Sequence, residues 1–147
     1  MRMNDRVYHA LDGIKIRIND EYGFEGDTPR INYGPCGVFA DLFHRAWNAR
    51  FEEKVRICFV MTKDRAECDH VCIRLPGGEL YDGGVGVHGG EAYDDFVVED
   101  MEIYDRALLE KWSYGLDRQY PRFCPKFNRQ FVEQVIAEHL DLLRGGE

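Results

Sequence analysis

Apolar positions recur along this chain with two periods. Val7, Leu11, Ile14 and Ile18 are spaced as on one face of a helix capped by Asn4 or Asp5. Ile14, Ile16 and Ile18 also alternate as a strand would after Gly13; the helix is the reading adopted. From Asp20 to Pro35, glycines at 23, 26 and 34 and prolines at 29 and 35 predict mostly loop. Cys36 to Phe51 reads as an amphipathic helix, because Val38, Phe39, Leu42, Phe43, Ala46 and Trp47 recur at steps of three and four. The period then changes. Val55 to Met61 is a continuous β-branched apolar run, and Val71, Ile73 and Leu75 alternate along His70 to Leu75. Pro76-Gly77-Gly78-Glu79 turns the chain into a short strand at Leu80-Tyr81-Asp82. Gly83 to Gly90 holds five glycines in eight residues and is expected to be a loop forming a mobile rim, with another strand at Asp95 to Glu99. Two helices close the chain, Tyr104 to Tyr114 stopped by Gly115 and Phe127 to Leu143. Strands joined by hairpins, with helices before and after, predict an α+β fold: a small antiparallel sheet packed on helices.

Composition narrows the function classes. The 147 residues are expected to form a single domain, 1–147, long enough for one real core, since a chain of this size buries roughly 68–70% of its extended surface. No run approaches the ~18 apolar residues of a membrane span, and Met1-Arg2-Met3-Asn4-Asp5-Arg6 leads into polar sequence, so no membrane partner and a cytoplasmic location are expected. A formal charge of −8 without a basic run argues against nucleic acid, whose affinity comes from clustered cations. Five cysteines, at 36, 58, 68, 72 and 124, cannot all pair within one chain and are read as thiols.

One of those thiols is placed for chemistry. Cys36 follows a proline and heads a predicted helix, where the dipole and unsatisfied backbone N–H groups stabilise a thiolate and can face a developing oxyanion. Gly37 and Gly34 leave room for a substrate backbone beside it. His70 opens a strand that packs next to such a helix and is placed to take the thiol proton; Asp82 on the following strand is placed to hold the imidazole.

These residues carry a family resemblance. Gly34-Pro35-Cys36-Gly37-Val38-Phe39-Ala40, Asp69-His70-Val71-Cys72-Ile73 and Leu80-Tyr81-Asp82-Gly83 together resemble the core of the papain-like superfamily, in the branch of transglutaminase-like and NlpC-like peptidases, amidases and acyltransferases. The likeness spans residues 33–84. It implies a papain-like fold and a cysteine-dependent hydrolase or acyltransferase without cofactor or metal. Cys36 would be nucleophile, His70 base and Asp82 orienter, acting on a peptide or small amide through an acyl-enzyme. Cell-wall amide hydrolysis, deamidation and transamidation all fall within this chemistry. The papain branch places a glutamine before the nucleophile as second oxyanion donor; here Asn32 and Tyr33 are the candidates beside Gly37, and the choice between them is open. A binding or assembly module that keeps the fold without turnover is the alternative.

The hairpin makes the triad testable. A two-residue Gly77-Gly78 turn would set Asp82 opposite Ile73, on the wrong face for His70; an odd loop or a bulge would set it opposite Cys72 or Arg74, on the right one. The odd register is expected. Cys68, His70 and Cys72 also suggest zinc, but alternate residues of one strand lie ~6.5 Å apart in succession and no CxxC pair completes the set. Cys58 reads as core and Cys124 as a structural thiol. His9 and His139 read as ordinary helix residues, His44 as solvated, and His88 as a substrate-side residue or a rival base. Glu91, Asp94, Asp95, Glu99 and Asp100 read as a solvated face, one that would favour cationic substrates if it borders the site.

Overall fold

The computed structural model describes residues 4–32, 35–113 and 127–145. Helix α1 spans Asp5–Tyr22, and the Asn4 side chain accepts the N–H groups of Arg6 and Val7 at 3.0 and 3.2 Å. Val7, Leu11, Ile14 and Ile18 are buried while Ile16 is 49% exposed, which resolves the helix–strand ambiguity by burial. The loop expected from Asp20 onwards starts later and has structure of its own. Strands β1 (Phe24–Glu25) and β2 (Thr28–Pro29) form a small hairpin, and Arg30–Asn32 makes a 3-10 turn.

Helix α2 runs Cys36–Asn48, three residues shorter at its end than its apolar pattern. A five-stranded antiparallel sheet follows, formed by β3 (Arg56–Met61), β4 (Cys68–Arg74), β5 (Leu80–Asp82), β6 (Gly86–His88) and β7 (Val97–Asp100) in the spatial order β6-β5-β4-β3-β7. Strand β6 corrects the expected Gly83–Gly90 loop. Helices α3 (Arg106–Ser113) and α4 (Arg129–Gly145) complete the described chain; Asn128 caps α4 by accepting the Phe131 N–H at 3.0 Å. Gly115, Tyr114 and Cys124 lie outside the described residues. The α+β class is as expected.

The two sheet faces differ. One buries Ile57, Phe59, Met61, Val71, Ile73 and Tyr81 under the stripes of α1, α2 and α4 in the main core. The other carries a smaller cluster, Cys58, Val60, Cys72 and Leu80, covered by Tyr93, Phe96 and Val98. An aromatic ladder fixes α2 to the sheet: Phe39, Phe43, Trp47 and Phe51 follow one another at 6.0, 5.9 and 4.5 Å between ring centroids, and Tyr81 of β5 sits 5.0 Å from Phe43. Each such ring contributes roughly 1.5–3 kcal/mol by burial alone. The buried Tyr81 hydroxyl donates to Leu11 O at 2.9 Å, so α1, β5 and α2 are tied together where the site lies.

No helix among the described residues is long and apolar enough to cross a membrane.

Candidate active site

The nucleophile candidate is positioned by the start of α2. Pro35 is the N-cap and supplies no side-chain cap, and the first helical hydrogen bond runs from Phe39 N to Pro35 O at 2.9 Å. The N–H groups of Cys36, Gly37 and Val38 therefore precede the ladder, at the positive end of the helix. Cys36 and Gly37 are both buried. Gly83 lies against the first turn; a Cβ there would meet the Phe39 ring at 2.9 Å, so glycine lets the β5 end approach α2.

His70 is brought into place by a bulge. Strands β3 and β4 pair Val60 with His70 and Met61 with Cys68, leaving Asp69 as the extra residue. Cys68 consequently joins the main core, whereas His70 shares the other face with Val60 and Cys72. The Cys36 sulfur lies close enough to the His70 ring for its charge to be the largest influence favouring the imidazolium. Nε2 lies 3.0 Å from Asp82 Oδ2, which leaves Nδ1 as the ring nitrogen open to the sulfur.

Asp82 reaches His70 because the hairpin has the odd register. Ile73 pairs with Tyr81 and Arg74 with Leu80, so the pairing continued one step sets Asp82 opposite Cys72. The loop is Pro76-Gly77-Gly78, closed by Leu75 N to Glu79 O at 2.8 Å, with Gly78 at φ +100°. That is the three-residue hairpin in which a left-handed residue, most readily glycine, absorbs the extra position. Asp82 Oδ1 accepts the N–H groups of Gly84 and Val85 at 2.8 and 2.7 Å and the Asn32 Nδ2 at 3.3 Å. The start of the glycine stretch, expected to be a rim, is thus a backbone cradle for the carboxylate.

The electrostatics follow from burial and contact. Burial opposes the charged form of His70, but charge on the Cys36 sulfur, then hydrogen bonds to Asp82 and Cys36, outweigh it and raise its pKa from 6.5 to about 10. Burial likewise pushes Asp82 up, and the His70 hydrogen bond and charge with the Val85 and Gly84 N–H groups bring it below its ordinary value. The arrangement favours thiolate and imidazolium together.

The other candidates are distributed differently. Asn32, read as an oxyanion donor, turns its amide to Asp82, so it holds the carboxylate instead. Tyr33 lies outside the described residues. Cys58 and Cys72 face each other across β3 and β4 with sulfurs 3.3 Å apart, and the Cys72 thiol is pushed well up by that hydrogen bond and by burial. Cys68 donates to His70 O at 3.3 Å from the opposite face. The zinc reading fails on this geometry, and among the described residues no group of three or more His, Cys, Asp or Glu could hold a metal. His88 accepts the Gly90 N–H on Nδ1 at 3.1 Å and packs 5.5 Å from Tyr93. His44, expected to be solvated, is half-buried against Tyr104 at 5.5 Å, and burial lowers its pKa. Of the acidic face, Glu91, Asp94 and Asp95 are exposed, while Glu99 pairs with Arg65 and Asp100 with Arg74.

One residue escaped the sequence reading. Tyr93 lies over His70, with ring centroids 6.1 Å apart, and packs edge-on against Phe96 at 6.3 Å. The apolar pair Tyr93 and Phe96, three apart in an acidic stretch, was the available signal.

Comparison with family models, with curated proteins and with solved structures finds no match. The functional reading therefore rests on geometry and chemistry.

Proposed function

We propose that this protein is a cysteine-dependent hydrolase or acyltransferase of the papain-like kind, acting on an amide or peptide carbonyl. The observation that carries the reading is the chain of contacts from Cys36, at the uncapped start of α2, through His70 to Asp82. In the proposed reaction the Cys36 thiolate attacks the carbonyl carbon, and the first-turn N–H groups of α2 face the oxygen as charge develops on it. His70, already carrying the thiol proton, gives it to the leaving amine, and an acyl-enzyme remains. Water or another amine then attacks that thioester while His70 takes the incoming proton. Asp82 keeps the ring in one orientation throughout.

A second reading has its own support. Cys36 is 2% and His70 5% exposed, so substrate reaches them only by displacing what covers them. That closure favours a binding module which keeps the fold without turnover.

Iodoacetamide labelling, mapped by mass spectrometry, separates the two. The enzyme reading expects fast modification at pH 6 concentrated on Cys36 and lost in His70→Ala. Uniformly slow labelling of all thiols would sink it in favour of the module.

A further inference from the structure

The proposed site has backbone donors for an oxyanion; of the two side-chain donors first considered, Asn32 is engaged by Asp82 and Tyr33 lies outside the described residues. Tyr93 is a further candidate. It sits on the turn Glu91–Tyr93, its ring 6.1 Å from that of His70 at 34°, on the sheet face that carries His70, Cys72 and Asp82. The ring is braced edge-on by His88 at 5.5 Å and Phe96 at 6.3 Å, so its hydroxyl is held in place. Among the described residues no hydrogen bond involves that hydroxyl. The hydroxyl is not one of the enclosed polar atoms left without a partner, so it reaches solvent and is available to a substrate.

We infer that the Tyr93 hydroxyl donates a hydrogen bond to the substrate carbonyl oxygen as Cys36 attacks, which makes Tyr93 a catalytic residue of the same site. The inference rests on the thiol reading above. Burial first, then the charges of Asp82, Cys72, Cys36 and Asp69, hold the phenol above its ordinary range. Tyr93 is therefore a protonated donor at working pH, and it transfers no proton in the step.

Two reagents separate this role from a structural one. With p-nitrophenyl acetate the sulfur–carbon bond forms, the carbonyl electron pair moves onto oxygen, and the collapse of that oxyanion expels p-nitrophenolate and leaves an acetyl-enzyme. With iodoacetamide the sulfur displaces iodide at a saturated carbon and no oxyanion forms. Tyr93→Phe removes only the hydroxyl. The expected result is a p-nitrophenolate burst slowed about tenfold or more, with Cys36 alkylation changed by less than about twofold, because one oxyanion donor alters only the carbonyl step. Equal slowing of both reactions, or no change in either, overturns the inference. Absence of selective Cys36 alkylation in the parent protein contradicts the thiol reading itself, and that outcome is distinct from the other two.

Discussion

Asp82 accepts from His70, Asn32, Gly84 and Val85 at once, and a carboxylate so satisfied is both cheap to bury and fixed in direction. Its hydrogen bond and charge add to the influence of Cys36 in favouring the charged form of the enclosed His70 imidazole. Asp82→Asn retains the shape and removes that charge, so the midpoint of Cys36 thiolate formation, followed by its ultraviolet absorbance against pH, is expected to move upward. An unchanged midpoint would show that Asp82 does not sustain the ion pair. At this scale the sequence was informative where a residue type implies one role. Cys36 after a proline, a histidine in a strand read as starting at it and found to start two residues earlier, and an aspartate after the next turn were each legible. Asn32 was misread because an amide before a nucleophile looks the same whether it faces substrate or a carboxylate. The Asp69 bulge had no local signature, and without it His70 would share the Cys68 face.

Elements were legible where one period ran long enough to bury a face. The stripe of α2 and the run of β3 are of that kind, and each matches its burial. Strand β6 was hidden because Val85 and Val87 are diluted by glycines whose reason is tertiary. Gly83 lies under Phe39, and Gly86 has φ +90°. The odd hairpin register was legible only through function, as the parity that sets Asp82 and His70 on one face. Gly83→Ala tests the contact between β5 and α2. A methyl 2.9 Å from a ring packed between Phe43 and Tyr81 has no easy relief, and a loss of roughly 1–3 kcal/mol is expected from urea unfolding. Because Phe39 rides on the first turn, Cys36 alkylation should slow as well. Stability equal to that of the parent would mean that the ring moves freely and that α2 is not anchored there.

For the molecule as a whole, the site couples to folding. The pKa of His70 is raised from 6.5 to about 10, so its contribution to stability is complete below about pH 6.5 and is lost as pH rises through about 10. Because an unfolded Cys36 thiol keeps its own proton up to about pH 8.5, the fall shows between about pH 8.5 and 10, where the urea midpoint of the parent is expected to drop further than that of His70→Asn, in which the contribution is absent throughout. Parallel pH dependence in the two proteins would contradict the shift. The architecture explains the coupling. α2, β4 and β5 each bring one group, and Tyr93 and Phe96 seal the face on which His70 and Asp82 meet, so the charged pair exists only when all are packed. That closure was not legible in advance. The stretch from Glu91 to Asp100 reads as acidic and solvated, and two aromatic residues within it do the covering.

The central claim is that Cys36 is a thiolate sustained by His70, and the rate of its alkylation by iodoacetamide as a function of pH tests this most directly. The account predicts a rate already high at pH 6 and nearly level up to about pH 8, with that plateau lost in His70→Ala. A rate that instead climbs through a midpoint near the ordinary thiol value of about 8.5, alike in both proteins, would contradict it.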